Sequence, residues 1–395
     1  MKLLCICQYY APEPFRIADI CEALVKRGHA VTVVTGLPNY PLGQIYDGYR
    51  HGKKRDEVIN GVQVHRCFTV GRRHGAFFRC LNYYSYQLSS TSYIRKLPDD
   101  FDVVLVNQLS PVMMAEAGIR YKEQHKKQMA LYCLDLWPES LVAGGIKAGS
   151  LLYRLFYRVS KRIYRKADRI LVTSPAFSGY FAEKFGITQT KYLPQHAETF
   201  FTPAECKKEA NGVLDLMFAG NVGAAQNVEI IIKAAEKTLD IPNLRWHIVG
   251  DGSELENLKA LACRLGVSNV VFHGRRPAEE MPKYYSMADV MLVTMQKDPV
   301  LSLTLPGKMQ TYMAAGKPIL GSIDGAAARL ITEARCGLCA SAGDVTGLTD
   351  AIKELIKNID ALPEFGSNGR SYLEKHFMKS TFLDTLEKEL SDLRQ

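Results

Sequence analysis

Residues 305–320 read LPGKMQTYMAAGKPIL. A Pro-Gly pair opens this stretch, Lys308 falls on the first turn of a short apolar helix, and Gly316, Lys317 and Pro318 close it. Glycine at 307 would let the backbone approach a ligand, and the free N–H groups of a new helix, with the positive end of its dipole, face the same way. Lys308 adds a point charge, so the stretch suits an anion, phosphate above all. Ala314, Ala315 and Gly316 permit close packing behind it, and Pro318 leads into a strand-like run, Ile319 to Gly321. An ordinary helix with a Pro start and a Gly stop has the same appearance, because a lone Gly-Lys pair is a weak motif. The choice between the two rests on the surrounding chain.

Working outward, apolar runs alternate with amphipathic ones. Lys2 to Tyr9 reads as a strand, Ala18 to Arg27 as a helix stopped by Gly28, and Ala30 to Thr35 as a second strand. That opening predicts parallel strands with a right-handed crossover, and ligands at the carboxyl ends of the strands. The loop after the first strand, Tyr9 to Arg16 (YYAPEPFR), is therefore placed to touch substrate. Strands are also expected at 62–68, 103–107, 130–134 and 170–173, with Asp135 and Glu139 just past the third of these. A polar, Pro-containing linker spans 193–211. Beyond it, strands at 214–219, 246–249, 270–272 and 289–294 each end in a turn: Gly220-Asn221-Val222-Gly223, Gly250-Asp251-Gly252-Ser253, Gly274-Arg275-Arg276, and the 305–320 stretch. Ser253 is placed to cap the helix that follows it, and 373–393 reads as one helix.

The 395 residues exceed one small core, at roughly 150 residues per domain. No apolar run reaches the ~18 residues of a membrane-spanning helix, and the N-terminus reads as a first strand rather than a signal peptide. The ten cysteines are scattered, which suits a reducing cytoplasm, and Cys336 with Cys339 forms a lone C-x-x-C without a second pair. The net charge of +9 divides into +13 over residues 1–195 and −4 over 196–395. The basic front half is expected to face an anionic surface. The run Tyr153 to Arg169 carries seven basic residues at near-helical spacing, and Arg72 to Tyr86 is also basic and aromatic. Such stretches fit the anionic inner leaflet of a membrane or a solvated helix face; no nucleic-acid-binding signature accompanies them, so no nucleic acid partner is expected. Asp100-Phe101-Asp102 sits at the amino end of a strand, away from the ligand edge, and no metal is expected there.

Taken together, AGN-x-G, HIVGDGS, VVFHGR, MPKYYSMADV and LPGKMQTYMAAGKPIL in the second half, with YYAPEP, LVKRGHAVTVVTGLPNYPLGQIYDGYR and LDLWPES in the first, resemble the family 4 glycosyltransferases. The first-half pieces resemble the bacterial subgroup that builds O-antigen, capsule and exopolysaccharide, including N-acetylfucosamine-type transferases. The resemblance implies an α/β chain of GT-B fold: two Rossmann-like doubly wound domains facing across a cleft, an acceptor domain over 1–195 and a nucleotide-sugar domain over 196–372. A C-terminal helix over 373–395 is expected to pack back toward the first domain. It implies retaining, metal-independent transfer from a nucleotide-sugar, a UDP-sugar, to a lipid-linked saccharide acceptor, with no cofactor, by a cytoplasmic protein peripheral to the inner face of the membrane.

Residue by residue, the resemblance puts the nucleotide-sugar on Gly220, Asn221, Gly223, Gly250, Gly274, Arg275, Leu305, Pro306, Gly307, Gln310 and Thr311. It puts catalysis on Lys308, Asp135 and, more weakly, Glu139, and phosphate or acceptor contacts on Pro14, Phe15 and Arg16. Asp135 has a second reading, as a helix N-cap. Three departures stand out. The Arg and Lys that grip diphosphate in many members are missing from 221–227. Leu303 and Thr311 occupy the two positions of the Glu-x7-Glu motif, and Pro14-Phe15-Arg16 replaces a Gly-Gly loop. Lys308, Arg16 and Arg275 are left to carry the phosphate charge. Two alternatives of other classes share the outline: a nucleotide-sugar 2-epimerase, whose carboxylate and His set is not found, and a non-catalytic assembly subunit.

Overall fold

The computed structural model describes residues 1–73, 75–143, 145–197 and 201–394; His74 of the basic-aromatic stretch and residues 198–200 of the linker lie outside them. The chain divides into two compact units, Met1–Leu193 with Leu383–Gln395, and Pro194–Phe382. The divisions expected at 195/196 and 372/373 thus differ from these by two and ten residues.

The first unit runs β1 (Lys2–Ile6), α1 (Arg16–Lys26), β2 (Ala30–Gly36), β3 (Asp56–Ile59), β4 (Val62–Cys67), α2 (Ala76–Ile94), β5 (Val103–Gln108), α3 (Glu116–His125), β6 (Gln128–Cys133), α4 (Glu139–Ala143), α5 (Leu151–Lys166), β7 (Arg169–Val172), α6 (Pro175–Tyr180) and β8 (Thr190–Tyr192). Its sheet order is β3-β4-β2-β1-β5-β6-β7-β8, parallel except for the β3–β4 hairpin. The near-continuous apolar runs of β1, β5 and β6 are buried on both faces, as parallel strands with helices on either side must be. Strand order reverses at β1, which lies between β2 and β5, so this is the unit's ligand-binding switch point.

The second unit runs β9 (Leu214–Ala219), α7 (Glu229–Glu236), β10 (Leu244–Val249), α8 (Leu255–Arg264), β11 (Val270–Gly274), α9 (Met281–Tyr285), β12 (Val290–Thr294), α10 (Lys308–Ala314), β13 (Ile319–Ser322), α11 (Gly325–Glu333), β14 (Gly337–Ala340), α12 (Val345–Lys357) and α13 (Leu362–His376). Its parallel sheet is β11-β10-β9-β12-β13-β14, with the switch point between β9 and β12. The carboxylate of Asp215 is buried at the amino-end side of this sheet, where Lys208, Arg245 and His247 reach it at 2.7, 2.6 and 2.9 Å. Burial alone would raise its pKa, but these donors outweigh burial and hold it well below the usual carboxylate range.

Two local expectations are corrected. Ser253 does not cap α8, whose first residue is Leu255; its hydroxyl instead turns to Glu254. The single helix expected over 373–395 is interrupted, because Phe377 leaves helical geometry (φ −127°, ψ 17°) and a separate helix, α14 (Lys379–Leu393), follows. Within the first unit, Arg27 reaches Asp384 and Glu387 at 2.6 Å, and Arg169 lies 3.1 Å from Glu389. Exposed pairs of this kind contribute little; the fully buried Leu386 and Leu390 supply more. Leu390→Ala should therefore lower the denaturation midpoint of the first unit by an amount equivalent to roughly 2–5 kcal/mol. The midpoint of the second unit, followed separately, should not move.

Candidate nucleotide site

Glycines end the strands on one side of the second unit's switch point. Gly220 (φ +144°), Gly250 (φ +141°) and Gly274 (φ +67°) terminate β9, β10 and β11 in conformations that favour glycine. Backbone bonds continue the sheet pattern beyond the strands: Gly220 N–H donates to Val249 O and Gly250 N–H to Gly274 O, both at 2.9 Å. A Cβ on Gly250 would lie 1.8 Å from Gly220 O, so the turns stack backbone on backbone. In the loop after β9, Gln226 Oε1 accepts from Gly223 N–H (3.2 Å) and Asn221 Nδ2 (3.0 Å). Thr294 and Gln296, at the end of β12, bond the backbone of Gln226 and Ala225, which joins the loops on the two sides of the switch point.

Lys308 opens α10 and sends its side chain under Gly220. A Cβ on Gly220 would come within 2.9 Å of Lys308 Nζ. The nitrogen sits 3.7 Å from the centre of the Phe218 ring. Nζ is shut off from solvent and has no hydrogen-bond acceptor among the described residues, although the residue as a whole is only half-buried. Burial pushes its pKa down to about 7. A solvent-excluded ammonium without an acceptor is costly, and the ring quadrupole beneath it offsets only part of that cost.

The remaining residues of 305–320 hold Lys308 in place. Tyr312 lies one turn further on the same helix face; its hydroxyl donates to Ala219 O at 3.0 Å and accepts from Ala219 N–H at 3.2 Å, tying α10 to the end of β9. Leu305 packs on the core that contains Met309 and Met313, and Pro306 O accepts from Met309 N–H. Gly307 has ordinary helical φ (−60°), so its conformation does not require glycine. With α10 only seven residues long, the side-chain charge, more than a helix dipole, characterises the site. Gln310 and Thr311 are buried, and the Thr311 hydroxyl points back to Gly307 O at 3.5 Å. Arg275 is exposed beside Gly274. Next to it, His273 packs on His247 and is pushed down to about 4, by burial first and then by neighbouring positive charge.

In the first unit, Pro14, Phe15 and Arg16 follow β1 at its switch point. Pro14 is exposed, Phe15 stacks on Tyr9 with ring centres 4.9 Å apart, and Arg16 is the half-buried first residue of α1. Asp135 lies past the end of β6. It accepts hydroxyls from Ser110 and Ser140 rather than backbone N–H groups, so its contacts are not those of an N-cap. Burial raises its pKa despite those two donors. Glu139 is buried and its Oε1 accepts from Tyr153 and Tyr180, both at 2.8 Å, which pins α5 and α6 to α4. Asp100 and Asp102 bond Lys2 at the opposite strand ends. Among the described residues, no group of three or more His, Cys, Asp or Glu could hold a metal ion. Sequence reasoning missed Tyr312, Gln226 and Glu13. Glu13 is buried in the YYAPEPFR loop; its Oε1 takes the N–H groups of Asn39 and Tyr40, and its Oε2 has no partner among the described residues.

Two parallel-sheet Rossmann-like units, with a buried cation beneath the turns at one switch point, define a protein of GT-B architecture. Residues 15–194 match the model of a glycosyl transferase 4-like domain, and residues 214–358 that of glycosyl transferases group 1. The chain is 29% identical over 262 residues to the probable glycosyltransferase WbjE of Pseudomonas aeruginosa, a match covering 63% of this chain and 64% of that protein. It is 26% identical to the putative colanic acid biosynthesis glycosyl transferase WcaI of Escherichia coli K12, covering 80% and 82%. Among solved structures, sucrose-phosphate synthase of Thermosynechococcus elongatus superposes with a TM-score of 0.79 at 17% identity, covering 100% and 99% of the two chains. Anabaena Alr3699/HepE in complex with UDP and glucose superposes with a TM-score of 0.71 at 16% identity, covering 99% of each. The chain belongs to the GT-B glycosyltransferases.

Tyr312→Phe should strand the buried Ala219 N–H and release α10 from β9. The expected cost to the second unit is about 1–3 kcal/mol, read by denaturant unfolding, together with weaker binding of a nucleotide-sugar donor. Unchanged values for both would mean that Tyr312 does not position Lys308.

Proposed function

We propose that this chain transfers a sugar from a UDP-sugar, with retention and without a metal, to a lipid-linked saccharide in cell-surface polysaccharide assembly. The observation that carries the reading is the acceptor-less ammonium of Lys308 beneath Gly220. As the glycosidic bond to the leaving diphosphate breaks, negative charge grows on the phosphate oxygens. A preorganised cation at that point stabilises the transition state more than the ground state. Lys308 supplies that charge where many relatives use an Arg and Lys of the preceding loop, and the exposed Arg275 is available beside it. Asp135 faces the ligand-bearing edge of the first unit, where a carboxylate of raised pKa suits the acceptor hydroxyl as orienter or proton acceptor. Glu139 is committed to two tyrosines and serves to position α5 and α6. UDP is favoured as the nucleotide by its presence in the HepE complexes, and polysaccharide assembly by the similarity to WcaI.

Lys308→Ala should lower turnover by about 2–4 kcal/mol of transition-state stabilisation, measured as UDP release from a UDP-sugar panel with a lipid-linked acceptor. EDTA should leave wild-type turnover unchanged. Wild-type-like turnover in the variant would refute the role of Lys308, and rescue by magnesium after EDTA would refute metal independence.

Docking on the inner leaflet would bring the enzyme to such an acceptor. No described helix is long and apolar enough to cross a membrane. At the start of α5, however, Leu151, Leu152 and Leu155 are exposed beside the exposed Arg154 and Arg158. Arg162 and Arg165, also basic on this helix, are engaged by Glu116 and Phe185 O. Each free basic residue near an anionic surface contributes about 1 kcal/mol, screened over a Debye length. Leu151→Ser/Arg154→Glu/Arg158→Glu should therefore lose co-sedimentation with phosphatidylglycerol vesicles and keep UDP binding. Co-sedimentation equal to wild type would leave α5 a solvated face.

A further inference from the structure

The loop after β1 is wound around one buried acid. Glu13 N–H donates to Tyr10 O at 3.1 Å, Phe15 N–H donates to Glu13 O at 2.8 Å, and Glu13 between them is only 2% exposed. Its Oε1 accepts the N–H groups of Asn39 and Tyr40, on the loop after β2, at 2.8 and 2.7 Å. Tyr40 is the link to the ligand edge. Its ring centre lies 5.2 Å from that of Phe15 and 6.1 Å from that of Tyr9, on which Phe15 stacks. Arg16 follows Phe15 directly and opens α1. One carboxylate oxygen thus fixes the backbone of Tyr40, the three rings fix Phe15, and Phe15 fixes where Arg16 begins.

The second oxygen is left over. Oε2 of Glu13 is shut off from solvent without a donor among the described residues, and Nη1 of Arg66 is shut off without an acceptor. Arg66 is fully buried on β4. Its Nε and Nη2 hold Glu57 at 2.9 and 2.7 Å, Nη2 also reaches Ala11 O in the loop after β1, and its guanidinium lies 4.7 Å from the centre of the Tyr49 ring. The charge of Arg66 favours ionisation of Glu13. Tyr9, which the charges of Glu13 and of Arg72 both affect, is the titratable neighbour within the loop. Burial comes first and pushes the Glu13 carboxyl up to about 7, against the backbone donors and Arg66. The two protonation states differ in what they do to Tyr40. A charged acceptor makes hydrogen bonds roughly twice as strong as a neutral one. A proton on Oε2 therefore weakens the bonds to Asn39 and Tyr40 and cancels the attraction of Arg66, and loss of that proton restores both.

We propose that Glu13 is a positioning residue worked by a proton: ionised, it holds Tyr40 and, through the Tyr40, Phe15 and Tyr9 rings, sets Phe15 and Arg16 at the ligand edge; protonated, it slackens that hold. The effect on turnover rests on the transfer reading, whereas the movement of the loop is independent of it. Turnover then rises as pH climbs through the Glu13 value and falls beyond it as Lys308 loses its charge, which gives a bell-shaped profile.

NMR of the full chain tests the movement, from about pH 5 to about pH 9. In the wild type, the Asn39 and Tyr40 amides and the Phe15 ring should titrate together with a midpoint of about 7. In Glu13→Gln, which keeps an oxygen for the two N–H groups and removes the proton site, none of them should titrate there. UDP release from the sugar panel over the same range tests the consequence. Wild-type kcat/KM should be about tenfold lower at about pH 5.5 than at about pH 7, and Glu13→Gln should flatten that rise at least fivefold while keeping the fall at higher pH. Wild-type signals of Tyr40 and Phe15 that do not move near 7 overturn the proposal, and this arm needs no variant. A rise in turnover that is the same in Glu13→Gln as in the wild type also overturns it, and assigns the rise to Asp135. Failure of the transfer reading is distinguishable, since it would appear as no UDP release at any pH, and the loop signals then decide the proposal alone.

Discussion

A lysine ammonium held away from water without an acceptor is the constraint on which the second unit's candidate site depends. Such a group is destabilising unless something offsets it. The Phe218 ring, 3.7 Å away, offsets part, and the rest stands as a local cost of the folded state. The surrounding structure keeps the lysine from escaping to solvent: Tyr312 fixes α10 to Ala219, the stacked turns at Gly220 and Gly250 close over the nitrogen, and Gln226 holds the loop above. Strain of this kind is what a site prepared for an anion would store, because an incoming diphosphate supplies the missing acceptor.

The first unit prepares its ligand edge by a buried network of hydrogen bonds. Gln8 donates to Asn82, Asn82 reaches Asn39 and Val70, and Glu13 gathers the N–H groups of Asn39 and Tyr40. One buried network thereby ties together the loops after β1, β2 and β4. Glu13 is its weak point: burial pushes the carboxyl up to about 7 even though backbone donors oppose that, and its second oxygen has no partner among the described residues. The loop that presents Phe15 and Arg16 is therefore held by a group that changes charge near neutral pH.

The two-unit α/β plan was legible because parallel strands leave long apolar runs and the turns at 220, 250 and 274 announce themselves by glycine. Lys308 was only half legible, because a lysine after Pro-Gly also suits an ordinary helix start; its burial beneath Gly220 is a tertiary fact. Its positioning was not legible. Tyr312 bonds a residue 93 positions away, and nothing local separates it from a core tyrosine. Gln310 and Thr311 were expected to meet the nucleotide from their place in a motif, yet they are buried in the helix. The exposure of Phe77, Leu81, Tyr84 and Leu88 on α2 could not be foreseen, since their spacing is that of an ordinary core-facing stripe and only the fold shows that Asn82, Tyr83, Tyr86, Ser90 and Ile94 are the ones buried.

The most direct measurement is the Lys308 Nζ titration by heteronuclear NMR, without and with UDP. Free, the group should titrate near 7, because burial disfavours its charged form. The bound diphosphate favours the charged form, so UDP should raise that value by about 1–3 units. It follows that UDP affinity is fully present below pH 7 and falls as pH rises from there toward the bound value. A free Lys308 that titrates near the ordinary lysine value, or one that UDP leaves unmoved, would contradict the account.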